Sequence, residues 1–197
     1  MISRLKGILL TRDPDLVEIE TAGGVVYEVE VPLTVLERLP TPGSAVELRT
    51  VQVVSDSSAT LYGFIDDAER TLFQRLLTAQ GVGGKLALSM MSAYRADRLA
   101  RALVEKDLAA LQQISGVGRK KAEKLVLELS EKVADLAVAM PSLTAAPGGA
   151  GAQEAVKALV ALGYSFSDAD HAVRQALEDG ASGASAEEII RRALSYR

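Results

Sequence analysis

The chain is predicted to be α+β, with strands first and helices after. Three observations carry this. Apolar residues recur at every second position up to about residue 63, and at helical spacing beyond it. A short glycine-centred motif then occurs twice within the helical part.

Val25, Tyr27, Val29 and Val31 alternate with Val26, Glu28 and Glu30, the signature of a half-buried strand. Leu16-Val17-Glu18-Ile19-Glu20 is its partner, because Ala22-Gly23-Gly24 between them has hairpin-turn chemistry. Thr41-Pro42-Gly43 marks another turn before a strand over Val46–Val54, and Ala59–Phe64 makes a fifth. Leu33–Leu39 reads as one short helix. Five short strands with one small helix suggest a Greek-key barrel of the OB type over residues 1–64. Such barrels often bind single strands by stacking bases on aromatic rings. Here only Tyr27, Tyr62 and Phe64 are available and the chain has no Trp, so the barrel is expected to be a scaffold.

Asp66-Asp67-Ala68-Glu69 opens the helical part, residues 65–140. Asp66 followed three residues later by Glu69 has capping-box spacing, which outweighs a catalytic carboxylate cluster. Helices are predicted to continue to about Met140. Within them, Gly81-Val82-Gly83-Gly84-Lys85-Leu86-Ala87 and Gly116-Val117-Gly118-Arg119-Lys120-Lys121-Ala122 align without a gap. Each follows a helix-like apolar run (Leu72, Phe73, Leu76, Leu77; then Leu108, Leu111, Ile114) and leads into a second one, which makes a tandem helix-hairpin-helix.

Glycine allows positive φ and leaves no side chain between backbone amides and an approaching group. The helix that follows starts with unpaired N–H groups and the positive end of its dipole, a seat for one phosphate. Two seats at fixed separation suggest nucleic acid. Other glycine-rich motifs fail on spacing. A P-loop requires glycine where Ala79 stands and Ser or Thr where Leu86 stands, and a dinucleotide fingerprint requires a third glycine where Leu86 and Lys121 stand. No cofactor is expected.

Residues 141–152 are small and rich in helix breakers, as expected of a flexible linker. Residues 153–197 read as three helices. Glu154–Leu162 ends at Gly163, Ser167–Glu178 starts on a serine cap, and Ser185 with Glu188 caps the last, which runs to about Ser195. Val156, Leu159, Val160, Val173, Leu177, Ile189, Ile190 and Leu194 are the predicted core of a unit that grips a protein partner.

Of the 197 residues, 48% are hydrophobic and 24% charged, ordinary values for a globular protein. Zero cysteines exclude disulfides and thiolate metal sites and fit a cytoplasmic protein, and the first ten residues have too short an apolar run for a signal peptide. The single His171 is read as structural. The net charge of −4 argues against DNA, but it is uneven. Residues 1–64 carry 5 basic and 9 acidic side chains, residues 65–140 carry 12 and 10, and residues 141–197 carry 5 and 7. Only the hairpin region is net positive. Charges more than about 10 Å apart are largely screened, so a local basic patch holds phosphates on an acidic molecule.

The run Leu61-Tyr62-Gly63-Phe64, then Glu69-Arg70-Thr71-Leu72-Phe73, both hairpins, and Ala158-Leu159-Val160-Ala161-Leu162-Gly163-Tyr164 resembles the RuvA family, Holliday-junction-recognition subunits of a bacterial branch-migration machine. Met1-Ile2, Leu5-Lys6-Gly7 and Tyr27-Glu28-Val29 match as well, so the resemblance covers the chain in order. It implies a homotetramer holding a four-way junction open and near-planar by its backbone, without reading base sequence. Its implied partners are the RuvB ATPase, gripped by a UBA-like C-terminal domain, and the RuvC resolvase. By position, Gly81, Val82, Gly83, Gly116, Val117 and Gly118 would offer backbone amides, and Lys85, Arg119, Lys120 and Lys124 would add charge. Lys121 falls where the family more often has an uncharged residue. Leu159, Leu162 and Tyr164 would form the apolar surface for the motor. Two departures stand out. Gly84 replaces a usual proline, implying a looser seat. The acidic pin, where two carboxylates are usual, has Asp56 followed by Ser57, implying a weaker electrostatic gate.

Two rivals remain open. A base-excision glycosylase of the helix-hairpin-helix class would use Lys120, but it also needs an aspartate where Val138 stands, and Asp135 is off register. A duplex-binding adaptor for a nuclease would share the hairpins without any junction preference. Neither a nucleophile–base pair nor a metal-ligand set is recognisable in the sequence.

Overall fold

The computed structural model describes residues 1–55, 58–140, 149–164, 166–176 and 185–195. Alternation in the first part becomes a closed barrel of β1 (Arg4–Arg12), β2 (Leu16–Glu20), β3 (Val26–Glu30), β4 (Ala45–Val54) and β5 (Ala59–Phe64), ordered β1-β2-β3-β5-β4. β1 closes it by pairing with both β2 and β4, and a register shift between Leu9 and Thr11 bends it to do so. Only β3 and β5 run parallel. Leu5, Leu9, Val17, Ile19, Val29, Leu48 and Phe64 fill the interior.

Between β3 and β4 lies α1 (Leu33–Leu36), shorter than the predicted Leu33–Leu39. Arg38 and Leu39 donate to Val35 and Leu36 at 3.0 and 3.1 Å, tighter three-residue turns that end the helix ahead of Pro40. Tyr62 and Phe64 are buried and meet Phe73 at ring-centroid distances of 4.8 and 4.9 Å. These rings are occupied by the core, in keeping with a scaffold.

Phe73 belongs to α2 (Asp67–Leu76). The Asp66 carboxylate accepts the Glu69 N–H at 2.8 Å, and the Glu69 carboxylate accepts from the Ile65 and Asp66 N–H groups and from Arg38. The capping box is therefore real, and both carboxylates serve the backbone. Burial, with Asp66 beside it, pushes the Glu69 carboxyl above its usual range, against the pull of Arg38. Then come α3 (Gly84–Ala93), α4 (Ala96–Val104), α5 (Leu108–Gln112), α6 (Arg119–Leu129) and α7 (Ala134–Ala139). Barrel and helices are joined by Arg70 Nε donating to Thr50 O at 2.9 Å, Thr34 Oγ1 to Met91 O at 2.8 Å, and Leu33 N–H to Ser92 Oγ at 3.0 Å.

The C-terminal helices are α8 (Gly149–Ala161), α9 (Phe166–Ala176) and α10 (Ala186–Ser195). α8 begins at Gly149, inside the predicted linker, although Gly149 and Gly151 are poor helix formers. Residues 141–148, Leu177 and Glu178 lie outside the described residues. Val156, Leu159, Val173 and Ile189 are core as expected, whereas Leu194 is 41% exposed and His171 is also exposed. Ser185 Oγ accepts the Glu188 N–H at 3.4 Å, while the Glu188 carboxylate pairs with Arg191 and Arg192. Among the described residues, no helix is long and apolar enough to cross a membrane.

Candidate nucleic-acid interface

The two motifs fold to matching turns. Gly81 and Gly116 stand at φ +80° and +84°, a region L side chains rarely adopt. Val82 and Val117 are buried, and their N–H groups donate to Ala79 O at 3.1 Å and Ile114 O at 3.0 Å. These amides are committed within the turn. Val82 and Val117 therefore anchor the hairpins, and their expected offer of backbone N–H to DNA is corrected.

Gly83 and Gly118 are the N-caps of α3 and α6. The bonds that close the first helical turns run from Ala87 N–H to Gly83 O at 3.0 Å and from Ala122 N–H to Gly118 O at 2.9 Å. The N–H groups of Gly84, Lys85 and Leu86, and of Arg119, Lys120 and Lys121, precede those bonds and project outward. These amides sit three to five residues after Gly81 and Gly116, whose positive φ sets the turn.

These helix starts differ from those of α2 and α5. Asp66 caps α2 and Asp107 caps α5 through side-chain oxygens. α3 and α6 have no side-chain cap and no acidic residue in their first turns, and they carry Lys85 or Arg119, Lys120 and Lys121 there instead. Cations at a helix N-terminus oppose its dipole, so the arrangement suits a third party that is anionic. Gly83 and Gly118 point the same way. Their φ values of −96° and −83° are open to any residue, and an added Cβ would meet nothing within 4 Å. Nothing inside the protein requires glycine at either position.

The hairpins also face each other. Ala79, Gln80 and Gly81 of the first turn and Lys120, Lys121, Lys124, Leu125 and Glu128 of α6 bound a groove of about 430 Å³. Lys121, given no role on the sequence, lies in it; its helical spacing to Lys124 and Leu125 was the available signal. Gln80 and Glu128 were missed because no local pattern marks them. Arg119 pairs with Glu123 at 3.1 Å, and Lys124 with Glu128 at 3.8 Å. Lys85 and Lys120 are exposed.

Family comparisons agree with this layout. Residues 1–63 match the RuvA N terminal domain, residues 73–132 the SAM-like helix-hairpin-helix tandem, and residues 150–196 the RuvA C-terminal domain. A Holliday junction branch migration complex subunit RuvA from Gemmatimonas aurantiaca is 46% identical, over 99% of this chain and 98% of the relative. Proteins of the same name from Opitutus terrae and Acidobacterium capsulatum are 42% and 40% identical, over 99% and 98% of this chain and 100% and 98% of their own lengths. This chain belongs to the RuvA family.

Against the RuvA pattern, Gly84 has a reason of its own. A Cβ there would lie 2.3 Å from Tyr62 Oη and 2.5 Å from Tyr62 Cζ. The ring is only 4% exposed and packed on Phe73, so the barrel occupies the space. Burial first, then the Glu30 carboxylate, pushes the Tyr62 hydroxyl above its usual pKa, and it stays protonated at neutral pH.

Of the residues expected to meet the motor, Leu162 is 66% exposed and Tyr164 half-buried. Leu159 is only 1% exposed, packed in the core with Val156 and Val173, and its side chain is not offered to a partner. The turn after α8 places them: Gly163 stands at φ +96°, and the Tyr164 N–H returns to Leu159 O at 3.2 Å. Asp56 and Ser57 lie outside the described residues. Beside them Ser55 N–H donates to Ser58 O at 2.8 Å, closing the β4–β5 connection.

Proposed function

We propose that this protein binds four-way DNA junctions by their sugar–phosphate backbone, holds them open and near-planar, and docks the RuvB ATPase, whose ATP hydrolysis drives branch migration. The protein itself is non-catalytic. Residues 1–64 serve as scaffold, 65–140 grip DNA, 141–148 are a tether, and the unit that opens with α8 at Gly149 holds the motor through Leu162 and Tyr164. RuvC acts on the same bound junction, in the cytoplasm.

The observation that carries this reading is the pair of glycine N-caps that the fold does not require, each opening a helix with free amides and basic residues. A phosphate oxygen accepts those amides, and the helix dipole adds about 0.3–1 kcal/mol, up to roughly 2 when partly buried. Two seats then give roughly 1–4 kcal/mol per chain, no better than about millimolar affinity. Useful binding requires several chains acting together, which supports a homotetramer on the junction. Selectivity then comes from the angle between arms, as no side chain reads a base.

The glycosylase alternative loses its nearest carboxylate. Asp135 is held by the Arg75 guanidinium, with one bond at 2.9 Å to its Oδ2.

Asp56 is proposed to stand at the junction centre and slow strand passage by repulsion, and an unchanged migration rate in Asp56→Asn would remove it from that role. The central test compares binding to a four-way junction and to linear duplex of equal length at moderate, stated salt. Preference for the junction is expected. Equal binding would leave only the adaptor reading.

A further inference from the structure

The groove between the hairpins contains a residue that its electrostatics alone does not explain. Among Lys120, Lys121 and Lys124 stands the carboxylate of Glu128. For a surface meant to take phosphates, a fixed negative charge here opposes binding. Glu128 is nonetheless engaged on both sides of the groove. Its Oε2 accepts the Gln80 N–H at 2.8 Å, and its Oε1 lies 3.8 Å from Lys124 Nζ. Lys124 Nζ in turn donates to Gln80 Oε1. Gln80 immediately precedes Gly81, the residue whose positive φ makes the first turn. A single carboxylate on α6 thus holds the backbone of the opposite hairpin, 48 residues away in sequence.

We infer that Glu128 is a positioning residue: with Lys124 and Gln80 it latches the first turn to the second helix and fixes the distance between the two phosphate seats. This deepens the DNA-binding reading and rests on it. Two amide clusters address successive phosphates only if their separation is held, because each ångström of play costs contact at one seat. The hydrogen bond is charge-assisted and its acceptor is three-quarters buried (27% exposed), so it exceeds an ordinary surface ion pair. The repulsion Glu128 adds is offset by Lys124 beside it.

The sign of a substitution separates this role from that of a bystander charge. Glu128→Ala removes a negative charge and the latch, whereas Glu128→Gln removes the charge but keeps a side-chain oxygen for the Gln80 N–H. Both variants are measured as full-length protein, by fluorescence anisotropy on a four-way junction at fixed salt. Glu128→Ala is expected to bind about three- to ten-fold more weakly than wild type, despite the lost repulsion, and Glu128→Gln to bind as tightly or more tightly. In free protein, the Gln80 backbone amide is expected to exchange with deuterium faster in Glu128→Ala, and by a clearly smaller factor in Glu128→Gln, which keeps a neutral acceptor. Tighter or unchanged binding by Glu128→Ala, equal weakening in both variants, or unchanged Gln80 exchange in Glu128→Ala would overturn the latch. Failure of the wild-type protein itself to prefer the junction would instead overturn the function, and the exchange measurement would still judge the latch.

Discussion

Gly116 and Gly84 are both glycine for internal reasons, but different ones. At Gly116 the backbone stands at φ +84° and a Cβ would touch Leu86 Cδ1 at an acceptable 3.4 Å, so conformation alone is at stake. Gly116→Ala is expected to lower unfolding free energy by about 1–2 kcal/mol, read from the urea midpoint; an unmoved midpoint would contradict the turn geometry. At Gly84 the backbone is helical and the obstacle is Tyr62 Oη, 2.3 Å from the added Cβ. Gly84→Ala is expected to cost about 1–3 kcal/mol in the wild-type background and far less beside Tyr62→Ala. Additive effects of the two substitutions would show that the ring is not the obstacle. The turn glycines were legible from their local spacing. The partner of Gly84 was not, since Tyr62 reaches it across the fold from another strand.

Between elements, polar clamps decide the geometry that periodicity leaves open. Arg75 on α2 reaches over to α7, donating to Lys132 O at 2.6 Å and to both oxygens of Asp135. The guanidinium bonded to Asp135 holds that carboxyl below its ordinary 3.8. A depressed carboxyl pKa stabilises the fold above the unfolded-state value, and that contribution is lost as pH falls through the folded value. Asp135→Asn is therefore expected to be less stable than wild type at neutral pH, the gap closing as acid carries the pH below the ordinary carboxyl range. A gap of the same size in acid, from urea melts at both pH values, would contradict this. Strands and helices were legible because apolar spacing is a local signal. Boundaries were less so. α1 ends ahead of Pro40, α8 reaches back to Gly149 in the expected tether despite two glycines there, and Leu194, at core spacing, stays on the surface.

Across the whole molecule, scaffold and grip are one piece. Tyr62 and Phe64 of the barrel pack on Phe73 of α2, and Tyr62 also underlies the start of α3. The barrel thereby supports the very helix end proposed to hold a phosphate. The sequence indicated both hairpins and their charge, but two of the amides it offered, those of Val82 and Val117, are already bonded within their turns. Only the hydrogen bonds of Val82 and Val117 show which N–H groups are already committed. Gly83 and Gly118 are proposed to be bare so that phosphates can approach the amides behind them. Replacing both by serine tests this without changing charge: each hydroxyl would cap its own helix, fit open space, and occupy those amides. The Gly83→Ser, Gly118→Ser protein is expected to melt no lower than wild type, yet to bind a four-way junction at least about ten-fold more weakly at the same salt. Wild-type affinity in that double variant would contradict this role for the bare glycines.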